Sequence, residues 1–149
     1  MEHMLTSNKK FKDIMTSENL IELEKAHIDN RGFIQSIINE PHTNVSIIES
    51  KKLTLRSNHY HLTDSHYMYT LKGEYYYFFK NQKSNILNRL KIKINQLIYT
   101  PPLEEHVTIF LEDTQLLVIS KNPRDQVTYE KDTIRVDLIK NLEMEDYIV

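Results

Sequence analysis

The stretch SNHYHLTDSHYMYTLKGEYYYFF, Ser57 to Phe79, gathers three of the chain's seven histidines and one of its two glycines ahead of a dense aromatic run. His59 and His61 are two positions apart, so on an extended strand both side chains leave from one face and Tyr60 leaves from the other. The LTDS segment that follows carries Thr63, Asp64 and Ser65, whose side chains bond to nearby backbone and favour a turn. A strand folding back from that turn delivers His66 beside the pair. Lys72 and Gly73 offer the next reversal, and Tyr75 to Phe79 has the composition of a further strand. Along it Tyr76 and Phe78 face one side as core, while Tyr75, Tyr77 and Phe79 face the other; an outward aromatic row of that kind favours a dimer interface.

After Asn30 the rest of the chain repeats this texture. RGFIQSII, VSIIESKKLTLR, NILNRLKIKINQLIYT and HVTIFLEDTQLLVISKN are rich in β-branched residues or alternate apolar with polar, and NEPHTN and TPPLEE punctuate them. A last strand is expected near Thr133 to Leu138, with a frayed acidic end beyond it. No segment after Asn30 sustains helical periodicity over three turns, and short strands spaced by roughly 8 to 12 residues indicate an all-β sandwich or barrel. Residues 1–28 form an N-terminal arm, in which Thr16 to Asp29 is either a short helix capped by Ser17 or an edge segment. Residues 29–149 form the barrel.

At 149 residues the chain is long enough for one domain with its own core. It has no cysteine, which excludes disulfides and thiolate metal sites and fits a reducing, cytoplasmic setting. The 19 basic residues are scattered among 21 acidic ones, for a formal net charge of -2, so the basic stripe of a nucleic-acid binder is missing. No apolar run approaches the roughly 18 to 20 residues that span a bilayer, and the start MEHMLTSNKKFKDI lacks the apolar segment of a signal peptide. Neither nucleic acid nor membrane is an expected partner.

His106 follows His66 by forty residues, behind TPPLEE. A metal needs three or four ligands converging from different segments, and neutral imidazole suits zinc, iron, nickel or copper. His59, His61, His66 and His106 are the candidate set. His3, His27 and His42 lie in polar stretches and belong to the surface.

This spacing resembles the two motifs of the cupin superfamily, G(x5)HxH(x3 or 4)E(x6)G and G(x5)PxG(x2)H(x3)N. His59, His61, His66 and Gly73 fall on the first, and Asn95, Pro101, Leu103, His106 and Phe110 on the second. Within the superfamily the likeness is to small cupins of capsule and other surface polysaccharide synthesis and to sugar-nucleotide epimerases and ketoisomerases. It is carried by DNRGFI (Asp29 to Ile34), LRSNHYH (Leu55 to His61), YTLKGE (Tyr69 to Glu74) and TPPLEEH (Thr100 to His106). Leu53, Ser57, Asn95 and Leu103 stand where these patterns carry glycine, Phe110 replaces the final Asn, and His66 takes the place of the acid. The resemblance implies a cupin double-stranded β-helix, or jelly-roll barrel. It further implies a divalent metal (zinc, iron, nickel or manganese) on His59, His61, His66 and His106, a nucleotide-linked sugar as substrate, and a homodimer.

An epimerase or ketoisomerase moves a proton at a carbon beside a carbonyl, which needs a base of near-neutral pKa and a group that holds the developing enolate. Without a metal, His59 or His61 is the candidate base, with Tyr67, Tyr69 or Tyr75 as acid; with one, the same histidines are ligands. Arg56, Arg31 and Lys72 are the candidate cations for a nucleotide diphosphate, because guanidinium forks match phosphate oxygens. Tyr75, at the head of the aromatic run, is the candidate for contact with the substrate. Two other functions fit the same pocket: a metal-dependent dioxygenase, and a non-catalytic cupin that binds a sugar or a protein.

Overall fold

Strands that alternate apolar with polar residues need a second layer against which to bury their inner face, and the chain builds two. The computed structural model describes residues 9–81 and 83–149, so His3 and the start of the arm lie outside the described residues. In chain order the strands are β1 (Lys12–Asp13), β2 (Leu20–Ile21), β3 (His27–Asp29), β4 (Gly32–Ile34), β5 (Asn44–Ser50), β6 (Leu55–His61), β7 (His66–Lys72), β8 (Tyr75–Lys80), β9 (Asn88–Ile92), β10 (Leu97–Thr100), β11 (Glu105–Phe110), β12 (Thr114–Ser120) and β13 (Thr133–Arg135). Helix α1 (Gln126–Asp132) stands between β12 and β13, and a 3-10 helix covers Asn141–Tyr147.

One sheet has the order β1-β9-β8-β11-β6-β13 and the other β2-β10-β7-β12-β5, while β3 and β4 pair only with each other. β6 pairs with β11 and β7 with β12 across long stretches of sequence, the crossing pattern of a jelly roll. Between the sheets Met68, Ile98, Leu116 and Val118 pack against Tyr75, Tyr77, Phe79, Leu90, Ile92 and Phe110. Among the described residues no helix is long and apolar enough to cross a membrane.

The aromatic run does not present a row to solvent. Tyr75, Tyr77 and Phe79 point into the barrel core, and on the opposite face Phe78 lies under Phe11, Ile139 and Tyr147 in a second cluster. The chain end is therefore not frayed: Arg89 donates to the carbonyls of Tyr147 and Val149 at 2.8 and 3.0 Å. Of the two readings of Thr16 to Asp29, the edge segment is the one found, since Leu20 and Ile21 pair with Ile98 and Leu97.

All four residues at the cupin glycine positions keep a left-handed backbone: Leu53 (φ 59°), Ser57 (φ 76°), Asn95 (φ 67°) and Leu103 (φ 69°). Side chains disfavour this region by about 1–2 kcal/mol, least for Asn. The turn geometry that suits glycine is thus present here without glycine. Gly73 (φ +91°) has no such latitude, because a Cβ there would meet the side chain of Thr114 and the carbonyl of Asp113.

Candidate active site in the barrel mouth

Ser57 and Asn58 are both left-handed, which shifts the side-chain alternation of β6 just before the histidines. Asn58 fastens this irregularity: its amide donates to Ile139 O at 2.8 Å and its oxygen accepts from the backbone of Leu138 and Ile139 at 3.2 Å. His59 and His61 then both turn inward, 6% and 2% exposed. His106 lies directly across from His59 on β11, beside a bulge in the pairing. The ring centroids of His59 are 4.6 Å from His61 and 4.7 Å from His106.

His59, His61 and His106 each offer a ligand atom within 4.8 Å of one another. His66 comes from the opposite sheet, with its ring 5.5 Å from His61 and 5.7 Å from His106. It borders this group of three without joining it. Burial first, and then neighbouring imidazoles, push His59 down to about 2. Burial likewise takes His106 down to about 4 and lowers His66, so these rings are neutral near pH 7. His61 is also lowered by burial, but Asp64 and Asp132 oppose the shift.

Hydrogen bonds set the ring tautomers. His106 Nδ1 lies 3.0 Å from Glu104 O, an acceptor only, so its proton sits on Nδ1. His61 Nδ1 is 3.4 Å from Thr133 Oγ1 and 3.8 Å from Asp132 Oδ2. Thr133 gives its one hydroxyl proton to Tyr129 O at 2.6 Å, so toward His61 it accepts. That leaves the His61 Nε2 lone pair free.

Helix α1 brings these partners to the barrel. Asp125 caps its start by accepting from Thr128 N at 3.1 Å, and Asp132 at its end accepts from the backbone of Thr63 and Asp64 at 2.8 Å each. Tyr129 is thereby held with its ring 6.3 Å from His59 and 5.7 Å from His61, and Arg124 stacks over it at 4.8 Å. A cavity of about 350 Å³ opens above the histidines, rimmed by Arg56, Arg124, Tyr129 and Arg135. Arg56 is pre-set by bonds to Ser50 Oγ and Glu49 O at 2.7 and 2.9 Å.

Several candidate residues lie elsewhere. With His66 and Met68 pointing inward from β7, alternation turns Tyr67 and Tyr69 out, toward Glu40 and Asn95. Tyr75 is inward but pairs with Phe110, four residues along β11 from His106 and so roughly 13 Å away. Arg31 sits on the exposed β3–β4 hairpin, paired with Asp29 at 2.7 Å, and Lys72 is exposed at the end of β7. His27 is exposed and His42 half-buried. Tyr129, Asp132, Arg124 and Arg135 were not anticipated. The Asp125-x-x-Thr128 cap was the signal that could have revealed the helix holding the first two.

No protein-family model and no curated protein matches the chain. Solved structures do. QdtA, a sugar 3,4-ketoisomerase from Thermoanaerobacterium thermosaccharolyticum solved with TDP, is 20% identical over 87% of this chain and 96% of its own, with a TM-score of 0.64. A variant of QdtA is solved with TDP-4-keto-6-deoxyglucose. The WlaRB TDP-quinovose 3,4-ketoisomerase from Campylobacter jejuni is 18% identical over 74% and 87% of the two chains, with a TM-score of 0.62. The capsular polysaccharide assembling protein CapF from Staphylococcus aureus is 20% identical over 77% of this chain and 34% of its own, with a TM-score of 0.57. The chain thus has the cupin jelly-roll fold, of the kind found in these sugar-nucleotide and capsule proteins.

Proposed function

We propose that the protein is a sugar-nucleotide isomerase that moves a keto group between neighbouring carbons of a nucleotide-linked sugar for surface polysaccharide synthesis. The observation that carries this is the setting of His61, an imidazole with a carboxylate 3.8 Å from Nδ1, in the wall of a cavity rimmed by three arginines. Likeness to QdtA and WlaRB supports the reaction class, and the TDP ligands of QdtA support the substrate class.

In this reading the arginines hold the diphosphate and leave the sugar over the histidines. His61 Nε2 takes the proton from the carbon beside the carbonyl; that C–H electron pair becomes the C=C bond and the carbonyl pair moves onto oxygen. Tyr129 stabilises the developing oxyanion by hydrogen bonding. Return of the proton to the former carbonyl carbon, while the neighbouring hydroxyl becomes the new carbonyl and its proton passes to the former carbonyl oxygen, completes the shift. His61 suits the base role better than His59, because its two carboxylates counter the burial that drives His59 down to about 2. Incubation with TDP-4-keto-6-deoxyglucose, followed by proton NMR of the sugar, tests the proposal: a 3-keto isomer is expected, and unchanged substrate counts against it.

The convergence of His59, His61 and His106 within 4.8 Å favours a second reading, a divalent metal such as zinc on these three residues. Buried His59 Nδ1 and His106 Nε2 have no hydrogen-bond partner among the described residues, and neutral imidazoles are the form that ligates. A metal held there would polarise a substrate carbonyl. Metal analysis of the purified protein beside His106→Ala separates the readings, since ligand histidines predict metal in the first and its loss in the second.

The protein acts as a cytoplasmic homodimer in this proposal. Support for the dimer is an apolar solvent face on the five-stranded sheet, where Val45 and Ile47 of β5 register with Ile119 and Leu117 of β12, and these with Tyr67 and Tyr69 of β7. Val45 and Ile47 are 64% and 55% exposed, a patch that suits a second copy. Sedimentation should give a dimer that Ile47→Glu converts to monomer.

A further inference from the structure

Glu104, in the TPPLEEH segment just before β11, is gripped from two directions. Its Oε1 accepts from Tyr77 Oη at 2.8 Å and from Asn19 Nδ2 at 2.7 Å. Asn19 belongs to the arm, 85 residues earlier in the chain, and is itself fixed to Tyr99: Nδ2 donates to Tyr99 O at 3.0 Å and Tyr99 N donates to Asn19 O at 2.7 Å. The Tyr77 hydroxyl also bonds to Thr100 Oγ1 at 2.7 Å. Asn19, Tyr77 and Thr100 are 6%, 0% and 1% exposed, so the half-buried Glu104 carboxylate is held by groups shielded from water.

The same two residues reach the histidine cluster. Glu104 presents its main-chain carbonyl to His106 Nδ1 at 3.0 Å, and the Tyr77 ring stacks on His106 at 6.0 Å and 19°. A carbonyl can only accept, so the contact places the proton on Nδ1 and the lone pair on Nε2, which is buried without a partner. A carbonyl on a connecting loop orients a ring only as well as the loop itself is held. Here the carboxylate holds it, tied to the arm and to β8.

We infer that Glu104, clamped by Asn19 and Tyr77, is a positioning residue that fixes the orientation and tautomer of His106. The inference rests on the reading of His59, His61 and His106 as the working centre. It assigns the arm a role in the site: Asn19 tightens a ring that it never touches. Outer partners of this kind shift ligand affinity by about 10–100-fold when lost.

The test uses two readouts, the side-chain nitrogen tautomer of His106 from long-range proton–nitrogen NMR at pH 7 and the affinity for Zn²⁺ from chelator competition. Wild-type protein should show His106 wholly as the Nδ1–H tautomer. Glu104→Ala and Asn19→Ala should turn it into a mixture and weaken Zn²⁺ by about tenfold, while Glu104→Gln, which keeps the Oε1 acceptor, should preserve both. An unchanged tautomer in folded Glu104→Ala, or a Gln variant that behaves like Ala, overturns the inference. If Glu104→Ala does not fold, Asn19→Ala decides by the same spectrum, because it removes one anchor and leaves the carboxylate in place. If the wild type binds no Zn²⁺, the metal reading fails and the tautomer alone decides this one.

Discussion

Asp132 stands 3.8 Å from His61 Nδ1 while the same carboxylate accepts the backbone N–H groups of Thr63 and Asp64. One side chain therefore joins helix α1, the turn after the histidine pair and the candidate base. Asp132→Asn removes the charge that favours protonated His61 and, because Thr63 N–H and Asp64 N–H bond different carboxylate oxygens, leaves one of them facing an amide NH2 that cannot accept. It should lower kcat by about tenfold or more with a modest fall in melting temperature; Asp132→Ala, which frees the whole turn, should lower the melting temperature further.

In the proposed reaction Tyr129 holds the oxyanion and Arg124 the diphosphate above the cavity. Tyr129→Phe keeps the ring against His59 and His61 but removes the hydroxyl, so steady-state kinetics should show kcat falling by about 10²-fold with KM nearly unchanged. Arg124→Ala should raise KM instead, and added salt should shrink the difference between variant and wild type.

The buried histidines make stability depend on pH. His59 and His106 sit at about 2 and about 4 in the folded protein against 6.5 for the ordinary side chain. Between those values the unfolded chain binds protons that the folded chain does not, so stability is full above pH 6.5 and falls as pH drops through 6.5 toward 4. Melting curves in EDTA should be flat from about pH 8 to 7 and lose roughly 1 kcal/mol per pH unit per histidine below 6. A flat profile down to pH 5 would contradict the buried neutral cluster.

The left-handed leucines give an inverted mutational prediction. Leu53 and Leu103 are 50% and 48% exposed, so replacing them removes little packing. Leu53→Gly and Leu103→Gly should each stabilise the protein by about 0.5–1 kcal/mol in denaturant titrations, since relief of the left-handed backbone outweighs the greater freedom of glycine in the unfolded chain. Val45→Gly, on an ordinary strand, should destabilise it.

What was legible in the sequence was whatever follows from strand alternation and fixed spacing. His59, His61 and His106, which meet because β6 and β11 pair, could be picked out from their order and intervals, and the all-β reading of the segments after Asn30 followed from β-branched alternation. The same alternation, carried on from His66 and Met68, already implies that Tyr67 and Tyr69 face outward. Tyr129 and Asp132 were hidden for another reason. RDQVTYEKD is too short and too polar to show helical periodicity, so α1 depends on its Asp125 cap and on Asp132 docking to the turn. Tertiary contact also decided the aromatic run: the face of Tyr75, Tyr77 and Phe79, expected to be outward, is closed by the second sheet as the barrel core, while residues from both ends of the chain cover the face of Tyr76 and Phe78.

In the proposed reaction His61 moves a proton at the carbon beside a sugar carbonyl, which NMR of TDP-4-keto-6-deoxyglucose in D₂O with wild-type protein and with His61→Asn reads out. Deuterium should enter beside the carbonyl with the wild type, about 10³-fold more slowly with the variant. Equal exchange by both proteins, or none by the folded wild type, would contradict this role of His61.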